Sequence, residues 1–339
     1  MKMANKRLID IARQLDLSIA TVSRALNSTT EHMVKEETRK RILDLVKKTG
    51  FKPNIRAREL VKGKETTFTL LLPIGVDSVF YTEYYFKLID GINNVITGTE
   101  YTLEILPVVK EYTEEEIYKI ILNCNTAGLI LSPYCKAIHI PFDIIKRYPF
   151  PIITIDSELK GRNAYNVVLD HQKAGYKGIE YLAQRGYENI AVISDSGHSP
   201  HSEMRKEGIR QYLKEKKIAE GAVTHMEYPF SRTSGLPALK EIIGLKKRSI
   251  GVFSFNDEIA VGILNNMAQM GLRCPADIAI LGFDGLPIGQ YTIPRLSSVA
   301  FPLKKIGEIV ARGLIELASK GKTKRRTVIQ ADILECESC

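Results

Sequence analysis

Over the first fifty residues apolar positions recur at helical spacing. Leu8, Ile11, Ala12 and Leu15 share one face of a first helix. Asp16 follows, a residue that tolerates the left-handed backbone of a tight helix corner, and Ser18 stands where an N-cap opens a second helix. The pattern has this helix bury Val22 and Leu26 and turn Ile19, Ala20, Thr21, Ser23, Arg24 and Asn27 outward. Residues 35–48 (KEETRKRILDLVKK) predict a third helix with Ile42, Leu43, Leu45 and Val46 inward, ended by Gly50 and Pro53. Residues 54–64 (NIRARELVKGK) are too short and weakly apolar for a core of their own and read as a linker.

From Thr66 the pattern changes to short apolar runs alternating with amphipathic stretches. Strands are expected at 67–72, 101–107, 127–131, 151–155, 190–194, 223–228, 249–254, 278–283 and 327–334. Helices are expected at about 82–97, 113–123, 171–185, 203–217, 233–243 and 256–270, with a further amphipathic helix at 303–317. Uniformly apolar runs fit strands covered on both faces, and the alternation fits parallel sheets flanked by helices. Nine such strands exceed one small sheet, so two α/β lobes are expected.

Charge separates the two parts. Residues 1–64 hold 16 Lys and Arg against 7 Asp and Glu, whereas the rest of the chain holds 32 of each. A cationic helical head on an electrically balanced body implies a polyanionic partner for the head, and small, hydroxylic and cationic side chains on an exposed second helix suit a major-groove reader. No apolar run reaches 18 residues and no basic-then-apolar leader opens the chain, so neither a membrane span nor a secretory signal is expected. Five scattered cysteines fit reduced thiols in the cytoplasm better than a disulfide framework. The two histidines of GHSPHSE (197–203) lack an obvious third metal ligand and read as a loop lining a cleft; no metal or cofactor is expected. No G-x-G-x-x-G follows the first strand, and no phosphate loop, G-x-S-x-G or zinc spacing is present, which speaks against an enzyme.

With TVSRALN (21–27), TGFKPN (49–54), VVLDHQKAGYKGIEYLAQRGYENIAVIS (167–194), SEMRKEGI (202–209), FSFNDEIAVGIL (253–264) and DIAILGFDG (277–285), the chain resembles the LacI/GalR family of bacterial transcription regulators over essentially its full length. The resemblance implies a small all-α helix-turn-helix head (1–53), a hinge helix (54–64) and an α/β core (65–339) of two periplasmic-binding-protein-like lobes. The first lobe is expected at about 65–162 and 292–324, the second at about 163–291 and 325–339. It further implies a homodimeric repressor in the cytoplasm that binds a pseudo-palindromic, double-stranded operator and is switched by a sugar-like effector held between the lobes. A global regulator that also docks a phosphocarrier protein is permitted, and a stand-alone sugar receptor is disfavoured by the basic head.

By position, Ser18, Thr21, Ser23 and Asn27 match phosphate contacts, and Ile19, Ala20 and Arg24 match base readers. Asn54, Ala57 and Leu60 match the hinge helix, with Leu60 as the wedge in the minor groove. Asp156, Arg205, Asn256 and Asp284 match residues that face the cleft, and Phe80 or Tyr81, within the aromatic run FYTEYYF (80–86), is expected to stack on the ligand. The chain departs from the family at Asp16, where glycine is usual, and at Lys35, where a capping serine is usual.

Overall fold

A computed structural model describes residues 8–26, 30–49, 65–74, 83–109, 113–132, 150–159, 164–197, 199–320 and 325–339. Asn27, the hinge residues Asn54, Ala57 and Leu60, and the aromatics Phe80 and Tyr81 lie outside them. The chain divides into two compact units, Met1–Glu65 and Thr66–Cys339.

The first unit holds α1 (Leu8–Leu15), α2 (Ile19–Ala25) and α3 (Glu36–Thr49). Asp16 turns the corner with φ of 55°, and the Leu17 amide closes it by donating to the Ala12 carbonyl at 2.9 Å. Ser18 caps α2 by accepting from the Thr21 amide at 3.0 Å. Ile11, Ala12, Val22, Ala25 and Ile42 make the core, with Leu8, Leu15, Leu17, Leu26, Val34, Leu45 and Val46 packed on it. Leu43, expected inward, is partly exposed and outside this cluster, because Ile42 already fills the position facing the other two helices. Lys35 precedes α3, and its side chain has no acceptor with which to cap the helix.

In the second unit the first sheet contains β1 (Thr67–Ile74), β2 (Thr102–Val109), β3 (Gly128–Leu131), β4 (Ile152–Ile155) and β5 (Ala164–Leu169). It is flanked by α4 (Glu83–Ile96) and α5 (Glu114–Leu122). The chain continues through α6 (His171–Gln184), β6 (Asn189–Asp195), α7 (Pro200–Lys216), β7 (Val223–Tyr228), α8 (Gly235–Gly244), β8 (Ile250–Ser254), α9 (Asp257–Gln269), β9 (Ile278–Phe283) and β10 (Ser297–Ala300). It ends with α10 (Leu303–Lys320), β11 (Arg326–Ile329) and β12 (Asp332–Leu334). The sheet orders are β11-β5-β4-β3-β1-β2 and β12-β10-β9-β8-β6-β7. Every pairing is parallel except β12 on β10.

Sheet membership corrects the expected lobe boundaries. Strand β5 belongs to the first sheet, not to a second lobe starting at 163, and β10 belongs to the second sheet, not to a first-lobe segment starting at 292. The apolar run 327–334 is two strands in different sheets: β11 pairs with β5, then the chain crosses and β12 pairs with β10. The chain therefore passes between lobes three times, after β5, after β10 and after β11. The short runs AYNVVL and SSVA were not legible as strands because both carry polar residues that the fold satisfies internally. Helix α7 starts at Pro200, three residues earlier than expected, behind a Ser199 cap.

Helices α6 and α7 pack nearly backbone to backbone. A Cβ on Gly175 would meet the Arg205 carbonyl oxygen at 2.1 Å, and one on Gly208 would meet the Gln172 carbonyl oxygen at 1.9 Å. Glycine is required here for proximity, and that proximity sets the start of α6 beside the middle of α7. Gly208→Ala is expected to push the helices apart and destabilise the core by about 1–3 kcal/mol. Gly221→Ala, with open space around it, should be near neutral. Equal thermal midpoints for the two variants would refute the packing account.

Candidate functional site

The exposed face of α2 is formed by Ile19, 47% exposed, with Ala20 and Arg24. Thr21 and Ser23 are half-buried on its flanks, and the Ser18 and Thr21 hydroxyls lie 2.8 Å apart. The face thus combines apolar tips, hydroxyls and one guanidinium, with the amides of a helix N-terminus beside them.

The second cluster sits where the C-terminal ends of strands from the two sheets come together, the position at which open α/β sheets place ligands. Two aspartates mark it with strained backbone: Asp156 after β4 has φ of 57° and Asp284 after β9 has φ of 107°. Each is pinned by its amide, Asp156 to the Val167 carbonyl at 2.7 Å and Asp284 to the Val299 carbonyl at 2.9 Å.

Asp156 Oδ2 accepts from His171 Nε2 at 2.7 Å and lies 2.9 Å from His201 Nε2. His171 opens α6, and its Nδ1 accepts from Arg205 Nε at 3.2 Å. Arg205 Nη1 donates to the Phe255 carbonyl at 2.7 Å, and the guanidinium lies over the Phe283 ring at 3.5 Å. The next residue, Asn256, caps α9 by accepting from the Glu258 amide at 2.8 Å, and its Nδ2 donates to Asp284 Oδ2 at 3.2 Å. The structure therefore joins all four expected cleft residues, Asp156, Arg205, Asn256 and Asp284, through one chain of contacts. Asn256 thus caps α9 and contacts Asp284 at once. Asp170 serves as the cap of α6, accepting from the Lys173 amide at 3.0 Å.

Several participants were not legible in the sequence. His171 carries the link from Asp156 to Arg205. His201 belongs to the first turn of α7, not to a loop. Asp195 accepts from the Ser199 amide at 3.0 Å and the Ser202 hydroxyl at 3.0 Å, ordering the helix start that carries His201. Fully buried Asp257 accepts from the Leu286 amide at 2.7 Å and the Ser298 hydroxyl at 2.8 Å, fixing the turn that presents Asp284. The signal available for His171 was its place directly after a strand-end Asp. From the first lobe, Lys87 donates to the Gly285 carbonyl at 2.8 Å and Glu83 accepts from the Ile288 amide at 2.7 Å, so the start of α4 is tied to the same turn. Arg232 pairs with Glu258 at the edge of the cluster.

Electrostatics differ sharply along the chain of contacts. Burial would raise the Asp156 carboxyl, but hydrogen bonds from His171 and His201 outweigh it and hold Asp156 below the usual carboxylate range. Burial, aided by the Arg205 charge, pushes His171 down to about 4, so its imidazole is neutral near pH 7. Burial pushes Asp284 up to about 7, against the pull of Arg205 and Asn256, and burial together with the Asp284 charge raises Asp257 well above its ordinary range.

Residues 7–54 match the family described as bacterial regulatory proteins, lacI family, and residues 179–339 match the periplasmic binding protein-like domain. The chain belongs to the lacI family. It is 28% identical over 321 residues to the probable HTH-type transcriptional repressor ExuR of Bacillus subtilis, covering 95% of this chain and 94% of that one. Its fold matches the Lac repressor dimer bound to operator and the anti-inducer ONPF, with a TM-score of 0.76 at 18% identity over 99% of both chains. It also matches a LacI family transcriptional regulator from Enterococcus faecium with bound ribose, with a TM-score of 0.68 at 21% identity over 80% of this chain and 98% of that one. This lacI-family chain is accordingly a DNA-binding transcription regulator and not an enzyme. Among the described residues no helix is long and apolar enough to cross a membrane.

The shift at Asp284 has a definite sign. A carboxyl raised from 3.8 to about 7 on folding holds a proton that the unfolded chain releases. Its stabilising contribution is complete below its unfolded value and is lost as pH rises through about 7. Asp284→Asn should therefore gain in thermal midpoint relative to the parent across this range, and parallel midpoint-against-pH curves would refute the assignment.

Proposed function

We propose that this chain is a dimeric, sequence-specific repressor whose operator affinity is set by a sugar-like effector held at the strand ends of the two core lobes. The observation that carries the reading is the run of polar contacts from Asp156 through His171 and Arg205 to the Phe255 carbonyl, with the next residue, Asn256, bonded to Asp284. Arg205 supplies planar donors, Asp284 and Asn256 supply acceptors and an amide, and Phe283 supplies an apolar face beneath them, a set suited to a polyhydroxylated ring. Asp156, already engaged by two histidines, acts by orienting Arg205. Phe80 or Tyr81 stacks on the ligand from the first lobe. The E. faecium relative with bound ribose supports this chemistry.

In the head, Arg24 reads a guanine edge, Ile19 and Ala20 contact thymine methyls, and Ser18, Thr21, Ser23 and Asn27 hold phosphates. Asn54, Ala57 and Leu60 form the hinge helix, with Leu60 wedged into a flexible base step. An effector that favours a lobe arrangement incompatible with two apposed hinge helices weakens operator binding by linkage.

Three measurements test this reading. Selection from randomised DNA should return a pseudo-palindrome whose affinity falls by about 10³–10⁵ between 50 and 200 mM salt for about 6–10 phosphate contacts. Arg24→Ala should cost about 1–3 kcal/mol and relax one position of the site; an unchanged base preference refutes the Arg24 assignment. A thermal-shift panel of sugars, sugar phosphates, nucleosides and purines should give a hit worth about 2.7 kcal/mol at a hundred times Kd. Retention of that hit in Arg205→Ala refutes the cleft assignment.

A further inference from the structure

Two imidazoles meet one carboxylate in this cluster, and the link from Asp156 to Arg205 uses only one of them. One ligand atom from each of Asp156, His171 and His201 lies within 4.8 Å of the other two. The His171 and His201 rings face each other at 4.7 Å, and the three side chains are between 3% and 12% exposed. A third ligand was not apparent in the sequence because Asp156 and His171 are 45 and 30 residues from His201 and only the crossing after β5 unites them.

We propose that Asp156, His171 and His201 form a site for one divalent transition-metal cation of the zinc, nickel or cobalt class. Two nitrogen donors and a carboxylate select such ions over magnesium or calcium, which take oxygen ligands. Three protein ligands leave a coordination position open to water or to a hydroxyl of a molecule in the cleft. The Asp156 backbone is pinned to Val167 and both histidines sit on helix starts, so the ligands are already gathered.

The proton positions show what loading the site requires. Without the ion, His171 donates a hydrogen bond from Nε2 to Asp156 and accepts one from Arg205 at Nδ1. Cation binding takes the Nε2 lone pair, so the ring's proton moves through solvent to Nδ1. Two N–H groups cannot share that contact, and Arg205 Nε must turn away. Arg205 keeps its Phe255 carbonyl and Phe283 ring. The ion and the Arg205–His171 bond therefore compete, and loading repositions the guanidinium next to Asn256 and Asp284. This site does not depend on a sugar occupying the cleft, because the ion itself is the readout.

The test is titration of the chelator-treated full chain with CoCl2, followed by visible absorption, and with ZnCl2 and MgCl2 by calorimetry. One Co2+ per chain is expected, with ligand-field bands and no thiolate charge-transfer band, and no heat from Mg2+. His201→Ala should weaken Zn2+ by about 100-fold or more, given that even outer-shell partners are worth about 10–100-fold. Asp156→Asn should also weaken it. Arg205→Met should tighten it by about tenfold, a gain that misfolding cannot produce. Absence of a cobalt spectrum, a thiolate band, or Zn2+ binding unchanged in both His201→Ala and Asp156→Asn would overturn the proposal.

Discussion

The core is organised around a charge that cannot be discharged. Arg205 is 97% buried by its 3% exposure, and a guanidinium stays protonated at any pH the protein meets. Its burial is tolerable only because each direction offers compensation: a neutral imidazole nitrogen, a strand-end carbonyl, an aromatic face and nearby carboxylates. Each partner imposes a further demand. The imidazole must present a lone pair at Nδ1, so its proton sits on Nε2, where the Asp156 carboxylate accepts a hydrogen bond from it. The carbonyl must be free of ladder pairing, so it comes from Phe255, just beyond the end of β8. The helix bearing Arg205 must lie against the helix bearing His171, so glycines occupy the contact.

The carboxylates around this charge divide by environment. Asp156 accepts from cation-capable rings and stays ionised, whereas Asp257 and Asp284 lose water without gaining an equivalent donor set and hold protons more tightly. The cluster thus offers both acceptors and, near neutrality, a carboxylic acid that can donate. The aromatic residues Phe255, Phe253, Phe283 and Phe301, in contact in that order, form a floor beneath it through edge and tilted contacts. The low-dielectric setting of the polar groups comes from this floor.

Much of this was legible in the sequence, for reasons that also mark where legibility ended. The three head helices follow from 3.6-residue periodicity, and Asp16 and Ser18 follow from corner and cap chemistry. Strands covered on both faces announce themselves as apolar runs, which is why β1, β3, β4, β6, β8 and β9 stood out. Strands β5 and β10 do not, because their polar residues are satisfied inside the fold: Asn166 by Leu159 and Thr154 in the preceding segment, Ser298 by Asp257 and the Ser297 amide by Ser338, both far along the chain. Asp156, Arg205, Asn256 and Asp284 were expected from the family's motifs, and all but Arg205, which lies within α7, also from their place after strand ends. His171, His201 and Asp257 became visible only through topology, since their roles lie in contacts between segments tens of residues apart.

The three crossings between lobes have a consequence for how the chain is made. Neither lobe is a continuous stretch: the first sheet lacks its β11 edge and the α10 cover until residues beyond 300 have been synthesised, and the second lacks β12 until later still. At about 5–20 residues per second, well over half of the polypeptide leaves the ribosome before either lobe can close. During that interval β5 presents an unpaired parallel edge, and the apolar face destined for α10 lies open. Residues 303–334 are therefore the segment on which escape from misassembly during biosynthesis turns, although they stand far along the chain from the head that reads DNA.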